Sequence, residues 1–100
     1  MEKEYLVTFK STTAALRAKM LIDKEKNLEP LRASAEVVPV PFSLSETCFG
    51  MGIRFKCKAD NTAARALMNL MKERQVDYKR FWLIGKEYTQ CNQELERSAS

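Results

Sequence analysis

The hydrophobic pattern along this chain switches repeatedly between strand-like and helix-like periods. Residues 5–9, Tyr-Leu-Val-Thr-Phe, form a β-branched and aromatic run that reads as a strand. Ser11 or Thr12 then stands where a hydroxyl can cap a helix. Ala14, Ala18, Leu21, Ile22 and Glu25 recur at helical spacing, with Leu16 and Met20 adjoining that stripe. Arg17, Lys19, Asp23 and Lys24 fall largely on the other side. This helix is expected to end near Lys26 and Asn27, with Asn27 taking the left-handed position that closes many helices.

Residues 28–34 read as a loop whose extended course is set by Pro30. Residues 36–40, Glu-Val-Val-Pro-Val, form the second strand. Pro39 has no N–H to donate, so this strand is expected at a sheet edge. A long connection over residues 41–49 follows and contains Ser43, Ser45, Thr47 and Cys48. Connections of this length often carry function.

The third strand has the clearest alternation. Met51, Ile53, Phe55 and Cys57 share one face, and Gly52, Arg54, Lys56 and Lys58 share the other. Asp60 or Asn61 is placed to cap a second helix with the stripe Ala63, Ala66, Leu67, Leu70 and Met71. Residues 76–84 complete a fourth strand, in which core positions are expected for Phe81 and Trp82. The segment after Gly85 is polar and is expected to be ragged or a short terminal extension.

The order is βαββαβ. Right-handed crossovers then give an α+β fold, a ferredoxin-like plait with a four-stranded antiparallel sheet and two helices on one face. Residues 1–86 form the single domain of this reading, and residues 87–100 the polar C-terminal tail. One hundred residues, 45% of them hydrophobic, suffice for one such core without staples.

No apolar run approaches the roughly 20 residues that cross a bilayer as a helix. The first four residues, Met-Glu-Lys-Glu, lead into an apolar run too early and too brief for a signal peptide, so a cytoplasmic location is expected. Net charge is +4, a surplus that permits an anionic partner without requiring one.

Cysteine and histidine usage narrows the chemistry. The three cysteines, Cys48, Cys57 and Cys91, contain no C-x-x-C pair, and histidine is absent. A zinc site of ordinary type needs three or four N or S ligands, and a disulfide scaffold needs dense paired cysteines, so neither metal nor cofactor is expected. Without histidine, the chain alone cannot build a Ser-His or Cys-His catalytic couple.

A family resemblance sharpens this picture. Phe9-x-Ser11-Thr12-x-x-Ala15-Leu16-x-Ala18-x-x-Leu21 resembles the opening strand and helix of the selenium/sulfur carrier protein-like family. The likeness continues through Val38-Pro39-Val40-Pro41, a Ser-rich stretch to Cys48, and Ile53-Arg54-Phe55, and covers roughly residues 5–83. Two departures stand out: Phe42 replaces a basic or polar residue, and Phe49 separates Cys48 from Gly50. The resemblance implies a carrier or accessory protein rather than a stand-alone enzyme. It would hold a persulfide, or its selenium analogue, on Cys48, taking it from a donor protein and passing it to an acceptor.

Only the thiolate does this chemistry, so its charge must be stabilised by nearby donors or cations. Ser45, Thr47 and the Gly50 backbone are the candidate donors, and Arg54 is the nearest plausible cation in sequence. Glu46 opposes them. Cys57 shares the inward face and reads as core, whereas Cys91 sits in the polar tail, exposed and open to serve as a second thiol.

Two other readings compete. In one, Cys48 is a small apolar filler and the plait is an interaction or regulatory domain. Its open sheet face, with Leu6 and Thr8, would then pack on a partner or on a second copy. In the other, Arg54, Lys56 and Lys58 bind RNA, but the alternation turns Phe55 inward and leaves no aromatic among the outward positions of that strand to stack on bases.

Overall fold

In the computed structural model, residues 2–40, 50–58, 62–85, 87–92 and 95 are described. Strand β1 (Glu2–Phe9) is followed by α1 (Thr12–Lys24), a 3-10 turn (Lys26–Leu28) and the short helix α2 (Glu29–Arg32). Then come β2 (Glu36–Pro39), β3 (Met51–Lys58), α3 (Thr62–Glu73), β4 (Tyr78–Ile84) and β5 (Tyr88–Gln90). The fold is α+β; the described residues form three α-helices and a five-stranded sheet in the order β2-β3-β1-β4-β5, every described pair antiparallel.

This corrects the expected four strands and two helices. The fifth strand arises within the segment read as tail. Its ladder to β4 matches Trp82 with Gln90, Leu83 with Thr89 and Ile84 with Tyr88. Beyond it, the Cys91 amide donates to the Phe81 carbonyl at 3.0 Å. The Asn92 side chain accepts from the Phe81 amide and donates to the Lys79 carbonyl, so it continues the ladder where the strand stops. Cys91 and Leu95 are buried in the core. Polar side chains thus conceal a strand whose pairing comes from backbone and amide groups.

β1 lies at the centre of the sheet, between β3 and β4, and all five residues from Tyr5 to Phe9 are buried. A continuous buried run suits a strand with paired neighbours on both sides. The central layer is aromatic. Phe55 stacks on Tyr5 with centroids 5.6 Å apart, and meets the Phe81 edge at 6.5 Å. Ala14, Ala15, Ala18 and Ile22 of α1, and Ala64, Leu67, Met68 and Met71 of α3, join this same cluster. The α3 stripe is turned from the expected one. Met68 takes the buried position, while Ala63, Ala66 and Leu70 flank the core as partly buried residues.

Ser11 caps α1 as expected, its hydroxyl accepting from the Ala14 amide at 3.1 Å. The other end departs from the pattern. Asn27 lies inside the 3-10 turn, and Arg32 donates to the Ile22 and Glu25 carbonyls at 3.1 and 3.2 Å, satisfying the helix end from outside. Residues 28–34 are not a loop. Pro30 occupies the first turn of α2, where its missing N–H is harmless, and Leu28 and Leu31 anchor this turn in the core.

Among the described residues the left-handed helix closure falls to Gln75, with φ 58°, after α3. The Val76 amide donates to the Met71 carbonyl at 2.9 Å and the Gln75 amide to the Lys72 carbonyl at 3.3 Å, the paired bonds of a Schellman motif. A side chain at this backbone costs about 1–2 kcal/mol relative to glycine. Gln75→Gly is therefore expected to raise stability by roughly 0.5–1 kcal/mol, the extra chain entropy of glycine offsetting part of the gain. A urea midpoint that falls would refute the assignment of strain to this residue.

β2 sits at the sheet edge with Pro39 in its last position, as expected. Among the described residues, no helix is long and apolar enough to cross a membrane. The expected caps Asp60 and Asn61 lie outside the described residues.

Candidate functional site

The described residues of the expected site, Gly50 and Arg54, lie along the β2–β3 ladder. The register pairs Glu36 with Arg54, Val37 with Ile53, Val38 with Gly52 and Pro39 with Met51. One further bond, from the Val40 amide to the Gly50 carbonyl at 2.9 Å, extends it. The β2–β3 ladder thus reaches Val40 and Gly50, the described residues on either side of 41–49, and β2 and β3, consecutive and antiparallel, are called the hairpin. Cys48, Ser45 and Thr47 lie outside the described residues. Gly50 is half-buried at the hairpin base.

Arg54 is four residues further along β3, about 13 Å at the usual strand rise. Its guanidinium lies 2.9 Å from Glu36 and 3.5 Å from Glu4, bridging β2, β3 and β1 on the face away from the helices. At 48% side-chain exposure this pairing is solvent-screened and adds little stability, but it does set two carboxylates around the cation. Sequence spacing brought Arg54 forward as a cation without revealing its partners. Glu36 opposes it only through the strand register, and Glu4 only through the central position of β1.

The start of β2 has a second fastening. The Ser34 hydroxyl accepts the Lys56 amide at 2.9 Å and reaches the Lys56 and Leu31 carbonyls, both at 3.3 Å. A side chain here takes the place of a ladder residue. The hairpin is thus held to the body of the fold by Ser34 at the end away from Gly50 and by Arg54 along its outer face.

The other two cysteines are buried, Cys57 at 4% exposure and Cys91 at 5%. The burial of Cys57 follows from the β3 alternation. That of Cys91 corrects the expectation of an exposed tail thiol; its Sγ lies 3.5 Å from the Phe81 carbonyl, inside the aromatic layer.

The outer sheet face also differs from expectation. Leu6 and Thr8, expected to offer contact surface, are 2% and 5% exposed. Trp82 is paired in register with Leu6, which places it on this outer face and not in the core with Phe81. Its indole Nε1 is buried and has no hydrogen-bond partner among the described residues. The row Arg54, Lys56 and Lys58 is exposed as expected, but Arg54 already faces two carboxylates, which weakens it as a phosphate-binding track.

A central aromatic layer shared by the sheet, α1 and α3, with an antiparallel ladder that runs on to Val40 and Gly50, defines a small α+β protein. The chain belongs to the family described as Putative Se/S carrier protein-like, whose model matches residues 4–83. No curated protein and no solved structure matches the chain.

Proposed function

We propose that this protein holds a sulfane sulfur, or its selenium analogue, on the Cys48 thiol and passes it to a partner protein, from a ferredoxin-like plait extended by one edge strand. Family membership carries this reading, because the matched residues 4–83 include Cys48. The burial of Cys57 and Cys91 supports it, since neither suits transfer between proteins. The β2-β3-β1-β4 order, with the helices packed on one face, supports the plait.

The chemistry requires no cofactor. The Cys48 thiolate attacks the outer sulfur of a donor persulfide. The donor S–S bond breaks as a new S–S bond forms on Cys48, and the electron pair and charge leave with the donor thiolate. The transferred sulfur keeps its oxidation level, so neither oxidant nor reductant takes part. An acceptor nucleophile repeats the step and returns Cys48 as thiolate. Ser45 and Thr47 hydroxyls and the Gly50 amide are proposed to stabilise the thiolate. Arg54, its charge offset by Glu4 and Glu36, is assigned instead to holding the hairpin against β1.

The test is incubation with a cysteine desulfurase and cysteine, followed by intact mass measurement with and without dithiothreitol. One thiol-labile sulfur is expected on the protein. It should be lost in Cys48→Ser and kept in Cys57→Ser, Cys91→Ser and Arg54→Gln. Loading that persists in Cys48→Ser, or that never appears with a desulfurase active toward other acceptors, would exclude the proposal.

A further inference from the structure

Two large apolar side chains on α1 lie outside the buried core. Leu16 and Met20 are one helical turn apart and are 52% and 53% exposed, although the helix buries Ala14, Ala15, Ala18 and Ile22. Beside them runs a groove of about 290 Å³ between α1 and the turn after α3. Its apolar lining comes from Met20, Leu21 and Val76, and its charged lining from Arg17, Lys24, Arg74 and Glu25.

The charge balance of that lining is uneven. Glu25 is the sole carboxylate among the described residues that line it, and it already lies 3.2 Å from Arg74. Arg17 donates to the Arg74 carbonyl at 3.2 Å, which holds its guanidinium at the groove wall, and it has no ion-pair partner among the described residues. Lys24 has no ion-pair partner among the described residues. Three cations therefore surround an apolar strip with one paired carboxylate.

We propose that this groove docks an acidic segment of a partner protein, bearing one or two large apolar side chains that seat against Met20 and Leu16. Methionine suits such a strip because its flexible thioether adapts to the incoming side chain. The cationic rim selects acidic partners and speeds their encounter. A second copy of this chain fits poorly, since a two-fold interface would set the same cations against each other. Nucleic acid fits poorly too, because the strip is aliphatic and offers no ring for a base to stack on. The proposal does not depend on Cys48.

The full chain is titrated by fluorescence anisotropy with a short labelled peptide in which leucines at helical spacing are interspersed with glutamates. A glutamine-for-glutamate peptide and a single-stranded RNA of similar length serve as comparators. Saturable binding of the acidic peptide is expected, with the glutamine peptide and the RNA each at least about tenfold weaker. Lys24→Glu and Met20→Ser should each weaken the acidic peptide about fivefold or more. Both positions are exposed, and far-ultraviolet circular dichroism checks that each variant keeps its fold. Equal affinity for the acidic and glutamine peptides, affinity unchanged by both substitutions, tighter binding of the RNA, or no binding of the peptide would each overturn the proposal.

Discussion

Phe55→Ala is expected to destabilise the protein by about 3–5 kcal/mol, the range for truncating a fully buried phenylalanine. Phe55 has no exposed surface and touches aromatic rings on two sides, Tyr5 across the β1–β3 pair and Phe81 from β4. Phe81 in turn meets the edge of Tyr78 at 5.4 Å, so four rings from three strands form one layer. The helices pack over this layer, which limits how far they can settle into the space an alanine leaves. A protein of this size has a total stability of about 5–15 kcal/mol, so the loss is a large part of it. Each kcal/mol shifts Tm by roughly 4–8 °C for small domains, which gives a fall of about 12–40 °C. Lys56→Ala, one residue along on the exposed face, should change stability by less than about 0.5 kcal/mol. Thermal and urea unfolding of the pair would settle the matter. A Phe55→Ala loss under about 1 kcal/mol would mean that the rings do not form the centre of the core.

That contrast between neighbours could be read from the sequence, because strand alternation is a local property of the chain. Met51, Ile53, Phe55 and Cys57 against Arg54, Lys56 and Lys58 fixes which face of β3 is inward without knowledge of its partners. The edge position of β2 was legible for a similar reason, since Pro39 lacks a donor whatever surrounds it. The Ser11 cap also depends only on its own helix.

Features decided by distant chain were not legible. Strand β5 is three exposed residues with no apolar period, and it exists because β4 offers an open edge and Asn92 prolongs the ladder. The same docking buries Cys91. Pro30 signals an extended course by itself, but buried Leu28 and Leu31 on either side draw that segment into a helical turn. Asn27 has the better intrinsic preference for the left-handed region. Gln75 takes that conformation instead, because Val76 must turn into the core just after α3. For the candidate site, the sequence indicated Cys48 and the hairpin, and the family match covers both. The two carboxylates that hold Arg54 come from separate strands, and only the register brings them together.

Gly52 is where fold and candidate site are most tightly joined, and replacing it should disturb both. The β3 pattern puts Gly52 on the outward face with Arg54 and Lys56, yet it is buried. A Cβ built there would lie 2.6 Å from the Val7 carbonyl oxygen, 3.1 Å from Leu6 Cδ1 and 3.2 Å from Val40 Cγ2. The leucine and valine methyls can move by tenths of an ångström, but the Val7 carbonyl belongs to the central strand and is held by its neighbours. Gly52→Ala is therefore expected to cost about 1–3 kcal/mol as the strands part, and Gly52→Val more. Strand propensity alone would predict the reverse, since valine outranks glycine in sheets. The strain falls two residues from Gly50, so the Val40–Gly50 bond at the hairpin base should weaken with it. Amide exchange at Val40 should then quicken in Gly52→Ala, and sulfur loading at Cys48 should fall even where the variant stays folded. Arg54→Gln, which removes only exposed ion pairs, should leave that loading intact. An unchanged urea midpoint for Gly52→Ala would show that the strands absorb a side chain there. Loading unchanged in a destabilised Gly52→Ala would separate the geometry of the hairpin base from the reactivity of the thiol.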